Sequence, residues 1–241
     1  MRTRSQSVVA PISFDVTGEG PPLILLHGLS GSRQWWARNI SALASEHRTY
    51  CLDLPGFGES RATRWSTMGD AADRLVAWMD DQGLERATIA GHSMGGAIAA
   101  LVAASSPDLI DRLVLVNASI RPAGAPFVPR AADLPRSFAT HTPELTALVA
   151  RDFLRCDPAS LFFATADIIR ADWSSVLSCI SAPTLVIWGA HDVITPISLG
   201  HALVWSIPDA RLAIVPDAGH NPMWEQADAF NGELLRFLRS E

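Results

Sequence analysis

Short apolar runs alternate with longer segments in which apolar positions recur at helical spacing along most of this chain. Each short run holds residues of the kind found in buried strands and ends in turn-forming residues. These runs are residues 22–28, 49–56, 87–93, 112–119, 184–192 and 210–220. Continuous apolar strands that alternate with helices predict an α/β protein with a mainly parallel sheet covered on both faces. The opening segment combines β character with a turn signal, which predicts an antiparallel hairpin at one edge.

Residues 121–180 interrupt this alternation, because they contain prolines, aromatic residues and helical pieces but no comparable strand-like run. Such a long interval inside an α/β chain favours an inserted helical subdomain over a loop. We therefore expect one domain over residues 1–241, with a core of 1–120 and 181–241 and an inserted helical cap at 121–180. The insert carries six arginines and six acidic residues, so it is near neutral and the net charge of −6 lies on the core.

Composition and charge remove several classes of function. All 19 basic residues are arginine, which excludes the lysine-dependent P-loop and Schiff-base chemistries. The net charge offers phosphate backbones no general attraction, so we expect no nucleic-acid partner. The chain start lacks the apolar stretch of a signal peptide, and no apolar run is long enough to span a membrane. Three widely spaced cysteines without a CxxC pair indicate free thiols in a reducing compartment, so we expect a cytoplasmic protein.

The segment GHSMGG, residues 91–96, places a serine between glycines where an apolar run meets a stretch of small residues. One interpretation is a glycine-rich turn of an α/β protein. The other is the G-x-S-x-G nucleophile elbow, a sharp strand-to-helix turn that exposes the hydroxyl of Ser93 at a helix N-terminus. Such a turn needs glycine two residues before and after the serine, and the N–H of Met94 then points at a developing oxyanion. The flanking strand and helix patterns favour the elbow.

A serine nucleophile needs a base, and the base needs an acid that orients it. Asp192 follows one strong apolar run and His220 follows the last, so both stand where parallel strands end. The chain order Ser93, Asp192, His220 is that of α/β-hydrolases and differs from the orders in the two serine-protease folds. Asn117 also ends an apolar run, but an amide cannot serve as the anion, so Asp192 keeps that role.

Five motifs appear in the order that they have in the α/β-hydrolase superfamily, and the chain resembles that family over essentially its whole length. They are LLHGLSGS, DLPGFGES, GHSMGG, WGAHDVITP and AGHNPMWEQ. The resemblance implies the α/β-hydrolase fold, a mostly parallel eight-stranded sheet with helices on both faces and a short helical cap inserted after strand 6. It also implies Ser93 as nucleophile, His220 as base and Asp192 as acid. The implied oxyanion hole consists of the backbone N–H groups of Leu29 and Met94.

The cap of this family covers the site as a lid, so aromatic residues of the insert are candidates for an apolar substrate pocket. The predicted substrate-binding residues, in the cap and beside the motifs, are Trp35, Phe127, Phe138, Phe153, Phe162 and Trp224. The insert is short for the family, which favours an open site or a small to medium acyl group. Its arginines are also compatible with an acidic acyl-carrier protein as partner, because similar small capped hydrolases include the pimeloyl-acyl-carrier methyl ester esterases.

Serine at the elbow implies acyl transfer, whereas relatives that resemble epoxide hydrolases or haloalkane dehalogenases carry aspartate there. The resemblance therefore implies a carboxylic ester hydrolase that works through an acyl-enzyme intermediate, with no cofactor and no metal. Three alternatives stay open. A carbon–carbon bond hydrolase or lyase and a cofactor-free perhydrolase use the same fold, and a small-molecule receptor can retain the triad. We expect a monomer or a homodimer.

The remaining histidines have structural interpretations. We expect His27 and His92, which flank the motifs, to pack and form hydrogen bonds and not to transfer protons. We expect His47, His141 and His201 at the surface. No HExxH or Cys/His spacing indicates a zinc site.

Overall fold

The computed structural model describes residues 12–122, 134–173 and 175–240. The strands in these ranges are β1 Phe14–Thr17, β2 Pro22–Leu26, β3 Arg48–Leu52, β4 Ala87–His92, β5 Ile110–Val116, β6 Thr184–Gly189 and β7 Ala210–Val215. They form one sheet in the order β1-β3-β2-β4-β5-β6-β7. Every neighbouring pair is parallel except β1 with β3. The mainly parallel sheet predicted from the apolar runs is therefore confirmed.

The sheet has seven strands in the described ranges, not the eight that the family resemblance implied. At the antiparallel edge of the sheet, β1 pairs with β3 and Phe14 stands opposite Leu52. Within the described residues β1 forms no hairpin with β2, because β3 lies between them. The residues before Ile12, on which the hairpin prediction also rests, lie outside these ranges.

The helices of the described ranges include several short ones and six of ten residues or more. They are α1 Ile40–Leu43, α2 Met68–Asp81, α3 Met94–Ser105, α4 Leu134–Ser137, α5 Pro143–Arg155, α6 Pro158–Arg170, α7 Ile197–Ser206, α8 Pro222–Glu225 and α9 Ala227–Leu238. Thr142 and Asp157 cap α5 and α6 with side-chain oxygens, and proline occupies the first turn of both helices. Among the described residues, no helix has the length and apolar character needed to cross a membrane.

The hydrophobic core lies on both faces of the sheet, because successive residues of a strand point in opposite directions. In β2, Ile24 and Leu26 belong to the apolar cluster that includes residues of α2 and α3. Leu23 and Leu25 belong to the opposite cluster, which includes residues of α9. All four side chains are fully buried. The strands therefore read as continuous apolar runs, since helices cover both of their faces.

Helices α4, α5 and α6 lie between β5 and β6, inside the segment 121–180 that the sequence predicts as a cap. Hydrogen bonds join the two longer helices to the core. Asp152 of α5 accepts a hydrogen bond of 2.7 Å from Ser32 Oγ. Asp167 of α6 accepts one of 2.8 Å from Trp65 Nε1. These contacts attach α5 and α6 to loops that follow β2 and β3.

The carboxyl ends of β4, β5, β6 and β7 lie side by side along one edge of the sheet. His92 at the end of β4 is in register with Val116 of β5, and Gly189 at the end of β6 is in register with Val215 of β7. Open parallel sheets place ligand sites beyond this edge. The polar residues that follow these four strands are Ser93, Asn117, Asp192 and His220.

Candidate active site

Ser93 stands on a sharp turn between β4 and α3, with φ +52° and ψ −115°. This region of backbone space is strained for a residue with a side chain. A Cβ on Gly91 would lie 2.3 Å from the carbonyl oxygen of Gly95, and a Cβ on Gly95 would lie 2.5 Å from that of His27. The turn therefore requires glycine at both positions, for the steric reason that the motif GHSMGG indicated.

Ser93, His220 and Asp192 come together at the carboxyl edge of the sheet. Ser93 Oγ lies 3.2 Å from His220 Nε2, and His220 Nδ1 lies 2.8 Å from Asp192 Oδ2. Because Nδ1 donates its proton to the carboxylate, Nε2 is left as the acceptor for the serine hydroxyl. The His220 side chain is 13% exposed and that of Asp192 is 0% exposed. This arrangement fits a nucleophile, its base and the acid that orients the base.

The carboxylate of Asp192 is held by donors from its own loop. Oδ1 accepts hydrogen bonds from the N–H groups of Ile194 at 2.8 Å and Thr195 at 3.0 Å, and Oδ2 accepts one from Thr195 Oγ1 at 2.5 Å. Burial by itself raises the pKa of Asp192. The charge of His220 and hydrogen bonds from His220, Thr195 and Asn117 outweigh burial and hold this pKa below its ordinary value. The acid is therefore ionised and aimed at the imidazole.

Asn117 supports this carboxylate in a way that the sequence did not reveal. Its backbone has φ +42°, a conformation that asparagine tolerates better than most residues. Its Nδ2 donates to Asp192 Oδ2 and, at 3.3 Å, to the carbonyl of Gly219. Its Oδ1 accepts a hydrogen bond of 3.2 Å from the N–H of Gly189. One amide side chain thus connects the loops that carry Asp192 and His220. The only sequence feature that marked Asn117 was its place as a polar residue at the end of an apolar run.

Ser119 is a second polar residue of the site that sequence reasoning missed, and it contacts Ser93. Its Oγ lies 2.9 Å from Ser93 Oγ, and its backbone N–H donates a hydrogen bond of 3.0 Å to the carbonyl of Ser93. The hydroxyl of Ser93 therefore contacts both His220 and Ser119. No motif marks Ser119, because its proximity depends on β4 and β5 being neighbours in the sheet.

One buried carboxylate holds the backbone on both sides of His220. Glu225, whose side chain is 1% exposed, accepts hydrogen bonds from the N–H of Gly219 and, at 3.1 Å, from the N–H of Asn221. His141 of the insert lies beside this carboxylate, with Nε2 3.8 Å from Oε1 of Glu225. The insert and the loop of the candidate base are therefore in contact.

The prediction that three histidines lie at the surface is wrong for two of them. The side chain of His141 is 4% exposed and His47 is 7% exposed, whereas His201 is exposed. Burial lowers the pKa of both His47 and His141. Both residues stand in connecting segments, where a sequence predicts exposure unless another part of the chain folds over them.

His27 and His92 form neutral, buried hydrogen-bonding groups beneath the site. The N–H of Leu54 donates to His27 Nε2 at 2.9 Å, so His27 Nδ1 carries the proton and donates to the carbonyl of Gly28 at 2.7 Å. His92 Nε2 donates to the carbonyl of His220 at 2.7 Å. Burial lowers the pKa of both histidines, that of His92 well below its ordinary value. They shape the backbone of the site, in agreement with the packing role expected for them.

The two N–H groups predicted for the oxyanion hole belong to Leu29, in the turn after β2, and Met94, the first residue of α3. Within the described part of the chain, neither N–H donates to a backbone carbonyl. Met94 stands at a helix N-terminus, where N–H groups lack intrahelical partners and the helix dipole favours negative charge. Both groups therefore stay candidates for the oxyanion hole.

Two of the predicted substrate-binding residues lie on the core side of the site. Trp35 is buried, with its ring 5.7 Å from that of His92 and its Nε1 donating to Asp152 at 3.0 Å. Trp224 is partly buried, and the guanidinium of Arg38 lies 4.8 Å from its ring. Trp35 thus belongs to the core packing beneath the elbow.

The predicted substrate-binding residues of the insert are more exposed than Trp35 and Trp224 where the structure describes their side chains. Phe153 is 52% exposed and Phe162 is 69% exposed, because the inward faces of α5 and α6 present smaller or polar side chains. Phe127 and the side chain of Phe138 lie outside the part of the chain that the structure describes. The role of these four residues in substrate binding stays a prediction.

Two further features of the described residues bear on chemistry. No group of three or more histidine, cysteine, aspartate or glutamate side chains there is arranged to hold a metal ion. The three cysteines are free, with Cys51 and Cys156 buried and Cys179 exposed. Burial raises the pKa of Cys51 to about 12, which makes its thiol a poor nucleophile.

Comparison with known proteins agrees with this architecture. A sequence model described as the α/β hydrolase fold matches residues 21–155. The dihydrolipoyllysine-residue acetyltransferase component of the acetoin cleaving system from Pseudomonas putida is 34% identical, over 94% of this chain and 66% of that protein. A 2-hydroxy-6-oxononadienedioate/2-hydroxy-6-oxononatrienedioate hydrolase from Burkholderia vietnamiensis is 33% identical, over 95% of this chain and 91% of that protein.

Among solved structures, a thermophilic esterase from Thermogutta terrifontis, with malate bound, superposes with a TM-score of 0.84. It shares 29% sequence identity, and the match covers 95% of this chain and 93% of that one. The likeness therefore extends over the insert as well as the sheet.

Proposed function

This chain belongs to the α/β-hydrolase family, and we propose that it hydrolyses carboxylic esters with small to medium acyl groups. The observation that carries the proposal is the contact series from Ser93 Oγ through His220 to Asp192 on an elbow that requires glycine neighbours. The names of two similar proteins, a hydrolase and an esterase, support the class of reaction.

Acylation begins when Ser93 Oγ attacks the carbonyl carbon of the ester. As the new bond forms, the hydroxyl proton passes to His220 Nε2, and the carboxylate of Asp192 stabilises the resulting imidazolium. The carbonyl electrons move onto oxygen, where the N–H groups of Leu29 and Met94 bind the negative charge. His220 then returns the proton to the alcohol as the carbon–oxygen bond breaks, which leaves an acyl-enzyme on Ser93.

Deacylation repeats these steps with water as the nucleophile. His220 removes a proton from the water as it attacks the acyl carbon, and the same N–H groups stabilise the second tetrahedral intermediate. The proton then passes to Ser93 Oγ as the ester bond to the enzyme breaks. The acid is released and the chain returns to its starting state with no cofactor consumed.

A second candidate reaction is hydrolysis of a carbon–carbon bond in a dienedioate, because one relative is named for such a substrate. A dienedioate carries two terminal carboxylates, which cationic side chains would bind through charge-assisted hydrogen bonds. In the described part of the chain, the hydrogen-bond partners of the Ser93, His220 and Asp192 side chains are neutral or belong to the triad itself. Both substrates are therefore included in the test.

The proposal is tested with p-nitrophenyl esters from acetate to laurate and, in parallel, with a 2-hydroxy-6-oxo-dienedioate. Three variants remove the triad one residue at a time, namely Ser93→Ala, His220→Ala and Asp192→Asn. Ser178→Ala, at an exposed serine, is the matched control. We expect ester turnover that falls on the order of 10⁴-fold or more in Ser93→Ala and is unchanged in the control.

Two results would contradict the ester proposal. Ester turnover equal in wild type and Ser93→Ala would show that Ser93 is not the nucleophile. Faster turnover of the dienedioate than of every ester, abolished in Ser93→Ala, would assign the carbon–carbon reaction instead. The profile of kcat/KM over acyl length measures the size of the acyl pocket directly.

A further inference from the structure

We infer that Ser119 is a further catalytic residue, which donates a hydrogen bond to Ser93 Oγ while that atom carries developing negative charge. The inference rests on the proposed serine hydrolase function. Ser119 lies outside the triad and the oxyanion hole. Its role follows from its two hydrogen-bond contacts with Ser93 and from the number of protons that the two hydroxyls and His220 can share.

The position of Ser119 is set by its backbone. Its N–H donates a hydrogen bond of 3.0 Å to the carbonyl of Ser93, so the two serines are joined across β4 and β5 where these strands end. The preceding residue, Ala118, is fully buried, and a Cβ on Gly96 of α3 would lie 2.8 Å from its Cβ. This close packing leaves the strand end little freedom to move away from the elbow. The Oγ of Ser119 accordingly lies 2.9 Å from the Oγ of Ser93.

The direction of the bond between the two hydroxyls follows from the protons available. His220 Nδ1 donates to Asp192 at 2.8 Å, so the neutral imidazole accepts at Nε2. Ser93 has one hydroxyl proton, and attack requires that it points to His220 Nε2, 3.2 Å away. The proton between the two serines must then come from Ser119. Ser119 is therefore the donor and Ser93 the acceptor in the reactive state.

This donation is strongest when Ser93 Oγ is most negative. During acylation the oxygen gains negative character as its proton leaves for His220, and during deacylation it gains the same character as its bond to the acyl carbon breaks. In the acyl-enzyme between these steps, Oγ is an ester oxygen and a weak acceptor. Ser119 keeps its own proton throughout. A contact that strengthens on the way to each transition state raises the rate without tightening substrate binding.

The first test measures the reactivity of Ser93 without turnover. A fluorophosphonate reacts with an activated serine in one step, so its second-order rate of inactivation reports the nucleophile alone. We expect Ser119→Ala to slow inactivation by about 10- to 100-fold, as for loss of a hydrogen bond to a charged group. Ser119→Thr, which keeps a hydroxyl, should restore the rate to within about threefold of wild type. Ser178→Ala is the control, and unchanged thermal unfolding shows that each variant is folded.

The second test reads the hydrogen bond directly. In a Ser93→Cys background, the pH dependence of alkylation by iodoacetamide gives the pKa of the thiol that replaces the hydroxyl. A donor on this atom stabilises the thiolate, so adding Ser119→Ala should raise that pKa, whereas adding Ser119→Thr should not. A merely structural role of Ser119 would leave the thiol pKa unchanged.

The outcomes separate this inference from the proposed function. Equal inactivation rates for wild type and Ser119→Ala, together with an unshifted thiol pKa, would overturn the role of Ser119 and leave the serine hydrolase intact. A wild-type chain as unreactive towards the fluorophosphonate as Ser93→Ala would overturn the proposed function and, with it, this inference.

Discussion

Trp35 Nε1 donates a hydrogen bond of 3.0 Å to Asp152 Oδ2, although 117 residues separate them in the chain. Ser32 Oγ donates to the same oxygen at 2.7 Å, and Asp152 is 6% exposed. The aspartate belongs to α5 of the insert, while its two donors follow the turn that holds Leu29. Helix α5 is therefore attached to the segment beside the proposed oxyanion hole. We expect it to form a fixed wall of the site and not a part of the lid that opens.

Replacing Asp152 tests this attachment. We expect Asp152→Ala to lower the free energy of unfolding by about 2–4 kcal/mol, because Ser32 and Trp35 are left as buried donors without an acceptor. Urea unfolding measures the change. Glu144→Ala, at an exposed acid of the same helix, is the matched control and should change stability by less than about 0.5 kcal/mol. A similar small effect of Asp152→Ala would show that α5 is not held through this carboxylate.

Glu225 should act through the position of His220. Its carboxylate accepts hydrogen bonds from the backbone on both sides of that histidine, so Glu225→Ala should displace the imidazole relative to Ser93. We expect kcat to fall by about 10- to 100-fold with little change in KM, and Glu225→Gln, which keeps one acceptor oxygen, to lose less. Steady-state kinetics on a short ester measure both constants. Glu233→Ala, at a surface ion pair of α9, is the control, and an equal loss in that variant would refute the positioning role.

Three glycines give a graded test of the elbow. In Gly91→Ala and Gly95→Ala the new Cβ would meet backbone atoms at 2.3 Å and 2.5 Å, and no side-chain rotation relieves such overlaps. Each variant should lose about 2 kcal/mol or more of stability and most of its activity. Gly232 lies exposed in α9 with nothing within 4 Å of a Cβ, so Gly232→Ala should stabilise the chain by about 0.5–1 kcal/mol. Thermal and urea unfolding show whether each variant is less or more stable than wild type. A Gly91→Ala variant as stable as wild type would contradict the packing described for the turn.

His92 should make stability depend on pH. Burial holds its pKa in the folded protein well below the ordinary value of 6.5, so the native imidazole stays neutral where the unfolded one binds a proton. The unfolded state then gains protons as the pH falls below about 6.5, and the free energy of unfolding decreases. His92→Gln keeps a donor for the carbonyl of His220 and should reduce this dependence by up to about 1.4 kcal/mol per pH unit.

The measurement for His92 is urea unfolding between pH 7.5 and pH 5. Wild type should lose stability over this range faster than His92→Gln, with the difference opening below about pH 6.5. His201→Gln, at an exposed histidine of α7, is the control and should follow wild type. Curves for wild type and His92→Gln that stay parallel throughout would show that His92 does not remain neutral in the folded chain.

Much of the fold and part of the site could be predicted from patterns in short stretches of the sequence. The apolar runs locate strands β2 to β7, because a strand covered on both faces must be apolar at nearly every position. The elbow could be read because its steric demand, glycine two residues on either side of Ser93, is itself local. The chain order of Ser93, Asp192 and His220 located the residues that the structure brings within hydrogen-bonding distance.

The supporting residues could not be found in this way. Asn117 and Ser119 belong to none of the five motifs, and each acts on a residue whose position depends on the order of strands in the sheet. Glu225 lies within AGHNPMWEQ, but the pattern does not reveal that its carboxylate holds the backbone on both sides of His220. The order of the seven strands in the sheet and the burial of the His141 side chain likewise follow from how distant segments pack. Sequence alone determined which residues carry reactive groups and which turns expose them, because those requirements span a few neighbouring positions. Tertiary structure decided what surrounds those groups, because only the register of packed strands brings residues far apart in the chain within hydrogen-bonding distance.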